Sequence, residues 1–260
     1  MRAFMLLLGM GSAALASAAC RTHPATPLTA AAARNDAEGI RRLLAAGHTP
    51  DDAGDAWTAL IWAARENAIA AMTVLLAAGA DVNRRDPANH WTPLLHAIHR
   101  QNAAAAALLL DRGADANMPS PAGVTPLMMA ADSPRPDTVR ALLEHGANPR
   151  LEGPGGMTAL TQAVSGGAMS DLTDRPLLGG CHPDTVRVLV EHDPTLRVPR
   201  TFAGRHAMWW ARFNGCEDVL RMVDFEQAGP AHQASAGAGL IRDNVREAIK
   251  PHDLRRPDAR

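Results

Sequence analysis

Thr92-Pro93-Leu94-Leu95-His96-Ala97-Ile98 opens a stretch that closes, 21 residues after its threonine, on Gly113-Ala114-Asp115-Ala116-Asn117. Each landmark has a local physical role. The Thr92 hydroxyl is placed to accept from the free N–H groups of a starting helix. Pro93 fits the first helical position, where a missing N–H costs nothing. Apolar and alanine positions follow, then a break, then a second apolar run through Leu109-Leu110. Gly113 suits a left-handed helix end. Asp115 and Asn117 suit a turn, because their side chains bond to their own backbone. The stretch predicts helix, turn, helix and loop.

The same order recurs on both sides. The anchoring threonines are Thr26, Thr58, Thr92, Thr125 and Thr158, spaced 32, 34, 33 and 33 residues apart. Gly47, Gly79, Gly113 and Gly146 each fall 21 residues after theirs. Pairs such as Leu75-Leu76 and Leu142-Leu143 mark the second helix. Thr-Pro-Leu, Ala-Ala, Leu-Leu and Gly-Ala-Asp-x-Asn at a period of about 33 residues resemble the ankyrin repeat. The resemblance covers residues 22–225 and implies an all-α solenoid of about six helix-turn-helix units with projecting hairpin loops. The repeats fall near 26–57, 58–91, 92–124, 125–157 and 158–200, followed by a degenerate copy at 201–225. In that copy Ala207-Met208-Trp209-Trp210-Ala211 replaces the Pro-Leu-x-x-Ala run, so its first helix is expected to start near His206.

The fifth repeat is long. Pro136-Asp137-Thr138-Val139-Arg140 recurs as Pro183-Asp184-Thr185-Val186-Arg187, but about 14 residues later in phase. An insertion therefore lies within 165–182, rich in glycine. It reads as a partner-contacting loop or as a tolerated surface insertion. After 225 comes an Ala/Gly/Ser-rich linker. Leu240, Ile241, Val245, Ala248 and Ile249 then share one helical stripe. That segment reads equally as a cover for the open end of the stack or as a loose tail.

The resemblance implies that the chain binds another protein, through the hairpin tips and the exposed face of each first helix. Those are the residue before each capping threonine and the residues seven and eight after it. In this sequence they are Trp57, Arg65 and Glu66, then Trp91, His99 and Arg100. Val124, Asp132 and Ser133 follow, then Met157, and Arg205 and Phe213 in the degenerate copy. Trp and Arg are frequent interface anchors. For Trp57 and Trp91 the competing role is to pack on the neighbouring hairpin and stiffen it. Trp62, Trp209 and Trp210 occupy helix positions that pack inward, and they are read as core.

Composition and export signals bound the function. With 26 basic against 27 acidic residues, net charge −1, there is no overall electrostatic footprint for nucleic acid. Residues 1–19 have the positive start, apolar stretch and small-residue end of a secretory signal peptide. Ser17-Ala18-Ala19-Cys20 resembles a bacterial lipobox, with Ser17 where leucine is usual. Cleavage there would leave Cys20 lipidated, and that anchor would be the chain's membrane contact. Ordinary cleavage near Ala18 or Ala19 would release a soluble protein. Both readings place it in a bacterial envelope, in the periplasm or anchored to the membrane. Cys181 and Cys216 then remain in an oxidising compartment, at nearly the same turn of adjacent repeats, either bridged or as two free thiols.

No enzyme motif stands out, and neither cofactor nor metal is expected. His90, His96 and His99 fall on three different parts of one repeat, which argues against convergence on a metal. The insertion supplies at most Asp171, Asp174, Cys181 and His182 as reactive groups. By analogy with exported proteins of the family, an immunity protein against a toxic effector and a stabiliser of an envelope enzyme are both open.

Overall fold

The computed structural model describes residues 24, 26–52, 57–166 and 180–224. The leader with Cys20, most of the repeat-five insertion (167–179, with Asp171 and Asp174) and the stretch beyond Asp224 lie outside them.

Among the described residues, six helix pairs follow one another. They are α1 (Pro27–Ala33) with α2 (Ala37–Ala45), α3 (Ala59–Arg65) with α4 (Ile69–Ala77), and α5 (Pro93–His99) with α6 (Ala103–Asp111). Then come α7 (Pro126–Ala131) with α8 (Pro136–Glu144), α9 (Ala159–Ser165) with α10 (Pro183–His192), and α11 (Phe202–Phe213) with α12 (Glu217–Met222). The first helices form one layer, each packed on the next along α1, α3, α5, α7, α9 and α11. The second helices form a parallel layer behind them. The core lies between the layers and between successive pairs. Leu60, Ile61, Leu94, Leu95, Leu127 and Met128 are sealed there, each worth about 2 kcal/mol of transfer free energy.

The capping logic is realised in the first five pairs. The hydroxyls of Thr26, Thr58, Thr92, Thr125 and Thr158 accept from the backbone N–H three residues on. Such a cap is worth about 1 kcal/mol over alanine. Each second helix of the first four pairs ends on a glycine with φ between +81° and +97°, a region that suits glycine.

The hairpin strings do more than turn on themselves. Asp81 and Asp115 do accept from the N–H of Asn83 and Asn117. But Asn83 Oδ1 also accepts from Asp115 N–H of the next repeat at 2.9 Å, and Asn117 Oδ1 from Asn148 N–H at 2.7 Å. Asp51 accepts from Asp81 N–H in the same way. A ladder of side-chain acceptors thus links successive hairpins. A second ladder runs along the inter-helix turns. Asn35 Oδ1 accepts from Ala71 N–H, and Asn67 Oδ1 from Ala105 N–H. Asn102 Nδ2 donates to the carbonyls of Ala64 and Arg65 at 3.0 and 2.7 Å.

The last pair departs from expectation. Its first helix is capped by Thr201, not near His206, and runs from Phe202 to Phe213. The extra turn is possible because Gly204 lies against the Pro199 carbonyl, where any Cβ would collide.

In the fifth pair, residues 166–182 separate α9 from α10, where three residues separate α1 from α2. His182 N–H donates to Ala163 O at 3.0 Å, which returns the chain to its place.

Candidate protein-binding surface

The residues expected to touch a partner divide by burial. Trp57 is 6% exposed, packed at 4.6 Å between ring centroids on His96 and at 5.1 Å on Trp62. Val124 and Met157, at the equivalent position, are also buried. These three are corrected from contact residues to core. The residue before the capping threonine sits at the base of the hairpin, where the next repeat's first helix closes over it. Trp91 is half-buried between His96 and His99, with centroids at 5.5 and 5.2 Å. It stiffens the hairpin while keeping one side in solvent.

The residues seven and eight after each threonine behave differently. Glu66 and Arg100 are exposed, and Arg65 and His99 are half-exposed. The Arg65 guanidinium lies over the Trp57 and Trp62 rings at 5.1 and 5.8 Å, which holds its charge at the surface of the aromatic cluster. The Asn102 bonds to the end of α3 set the third turn directly beside Arg65. Gln101 Nε2 donates to Ser133 Oγ, and Arg135 Nη1 donates to Gln101 O, which set the fourth turn beside the third. His99, Gln101, Asp132, Ser133 and Arg135 line the rim of a small groove there, with Ile98 and Met129 among its apolar lining.

One consequence escaped the sequence reading. Each of the first four inter-helix turns carries an arginine in it or at its edge: Arg34, Arg65 at the end of α3, Arg100 and Arg135. None forms an ion pair among the described residues. By contrast, Arg41, Arg140, Arg187 and Arg221 on the second helices each pair with a carboxylate three residues earlier. Asp36, Glu66 and Asp132 sit in three of the same turns, so the arginines form a row interleaved with acids along one edge.

The hairpin between α4 and α5 is held by a buried, hydrogen-bonded Asp–His pair. Asp86, 1% exposed, accepts from the N–H groups of Ala88, Asn89 and Trp91 and from His96 Nε2 at 2.9 Å. Burial alone would raise its pKa. The bonds from His96 and from the Asn89 and Trp91 backbone outweigh burial and hold the carboxyl below its ordinary range. Asp86 and His96 therefore fix the exposed tip formed by Pro87, Ala88, Asn89 and His90. The three histidines of this repeat serve different structures.

At the far end, Cys181 and Cys216 form a disulfide with α-carbons 6.2 Å apart. It ties the returning end of the insertion to the turn between α11 and α12. Cys181 is thereby unavailable as a nucleophile. Arg205 and Phe213 are exposed on α11, and so are Phe202 and Trp209. Trp209, read as core, is 55% exposed. Trp62 is buried as read, and Trp210 is half-buried.

A family model for ankyrin repeats matches in three copies, over residues 4–86, 79–153 and 112–174. The chain belongs to the ankyrin repeat family. Ankyrin repeats are modules of protein–protein interaction, and this stack continues through α10, α11 and α12 beyond the matched residues. No curated protein matches the chain.

Proposed function

We propose that this ankyrin repeat protein works in the bacterial envelope, where it binds the acidic surface of another protein along its inter-helix turns. The row of Arg34, Arg65, Arg100 and Arg135, free of ion pairs among the described residues, carries the reading. Four arginines at neighbouring points of successive repeats can pair bidentately with carboxylates on a partner, and they steer association at low salt. Trp91, whose ring reaches His99 next to Arg100, adds apolar contact beside them.

The envelope location has two supports. Residues 1–20 have the pattern of an export signal, with Cys20 as the candidate lipid anchor. The Cys181–Cys216 bridge fits an oxidising compartment. Catalysis has no part in the proposal.

The test is affinity capture from an envelope extract with wild type and an Arg34→Glu/Arg100→Glu variant. Both substitutions leave the Arg65 stacking and the core intact. One protein retained by wild type, weakened by salt and lost by the variant is the expected result. Equal retention by the variant would remove the arginine row from the account.

A further inference from the structure

Register explains why Trp209 was misread. Counted from the shared helix ends, Trp209 occupies the position held by Ile61, Leu95, Met128 and Thr161 in the preceding repeats. Each of those is at most 1% exposed, because the next repeat covers it. Among the described residues no seventh pair follows α12. Trp209 therefore stands on the open end of the stack.

It does not stand alone. Phe202, His206, Trp209 and Phe213 fall four, three and four residues apart, one stripe down α11. Phe202 and Phe213 are both 68% exposed, and Trp209 stacks on Phe213 with centroids 5.4 Å apart. A terminal repeat needs a polar outer face to remain soluble. This one presents an aromatic face instead, which calls for an apolar cover.

We infer that the occupant is this chain's own segment 240–249, folded as an amphipathic helix across α11. The last described residue, Asp224, accepts at its carbonyl from Val198 N–H just ahead of α11, so the chain leaves near the start of that helix. Residues 225–260 remain beyond that point. The linker to Leu240 reaches about 50 Å when extended, far more than the distance required. The lengths agree: Phe202 to Phe213 spans about 16 Å of helix, and Leu240 to Ile249 about 14 Å. Leu240, Ile241, Val245, Ala248 and Ile249 supply one mainly apolar face, interrupted by Asn244 near its edge. Arg242, Asp243, Arg246 and Glu247 lie off it and keep the new outer surface polar. The inference does not depend on which partner the arginine row binds.

Hydrogen exchange on the full chain tests it. In wild type, amides of 240–249 should exchange at least tenfold more slowly than in a free chain. A Trp209→Ser/Phe213→Ser variant should release them, while the amides of α3 and α5 keep their protection. Exchange of 240–249 at the free-chain rate in wild type would overturn the inference. So would protection that survives the double variant. Protection that appears only as protein concentration rises would assign the stripe to a second copy and equally overturn it.

Discussion

Asp86→Asn removes one charge and changes almost no volume, at a site where the fold depends on that charge. In the native hairpin the two carboxylate oxygens take three backbone N–H bonds and the His96 bond. Oδ2 serves both Trp91 N–H and His96 Nε2. An amide nitrogen at that place faces the Trp91 N–H, so that bond is lost, and the charge-assisted His96 bond becomes at best a neutral amide–imidazole one. Hydrogen bonds to a charged group are worth about 1.5–3 kcal/mol each, and part of that returns by rearrangement. The expected loss is about 2–4 kcal/mol, or a fall in Tm of roughly 5–12 °C for a stack of this size. Thermal unfolding followed by circular dichroism reads it. Exchange protection of the 86–91 hairpin should fall first, since repeat arrays open locally. The sign with pH is fixed. A carboxyl held below its ordinary pKa contributes fully above about pH 4 and loses that contribution as pH falls through its lowered native value. The gap between wild type and variant must therefore narrow on acidification. A variant within about 0.5 kcal/mol of wild type at pH 7, a change typical of an inert surface site, would refute the anchoring role.

Three further outcomes follow from the same geometry. Cys216→Ser opens a loop of 35 residues and should cost about 4 kcal/mol by chain entropy, with wild type falling to match after reduction. Asn102→Ala leaves the Ala64 and Arg65 carbonyls without their donor, and should cost about 1–2 kcal/mol in urea unfolding. Burial lowers the pKa of His182 despite its contact with the Asp132 carbonyl, so the unfolded chain takes up the proton first. Stability should decline as pH drops below about 6.5, and His182→Gln should flatten that decline in thermal melts across pH 5–7.5.

What the sequence made legible was whatever is local. The five capping threonines, the helix-ending glycines and the displaced Pro-Asp-Thr-Val-Arg string set the helix pairs and the insertion, because each acts within a few residues of itself. The repeat period likewise brought Cys181 and Cys216 to neighbouring turns. What stayed hidden depends on the adjacent repeat. Asn83 and Asn117 looked self-contained because their acceptors serve an amide some thirty residues away. Trp57 and Trp209 exchanged roles for one reason. A position's burial is decided by the unit beside it, and Trp57 has His96 over it while Trp209 lies in the last described pair, with no described pair beyond it. The Asp86–His96 pair was missed because the histidine was weighed as a metal ligand or as an ordinary surface or packing residue. No pattern paired it with a carboxylate ten residues back. The arginine row was visible once the turns were in register, but whole-chain charge averaged it away.

The central claim is that a partner lies along the inter-helix turns. A photo-crosslinking residue placed in living cells at Glu66 or Arg100 tests it most directly, with Arg140 and Arg187 on the second-helix layer as comparison sites. The account predicts one discrete protein adduct from Glu66 and Arg100, lost when Arg34 is reversed to glutamate, and none from Arg140 or Arg187. Adducts from the second-helix positions, with none from Glu66 and Arg100, would contradict it.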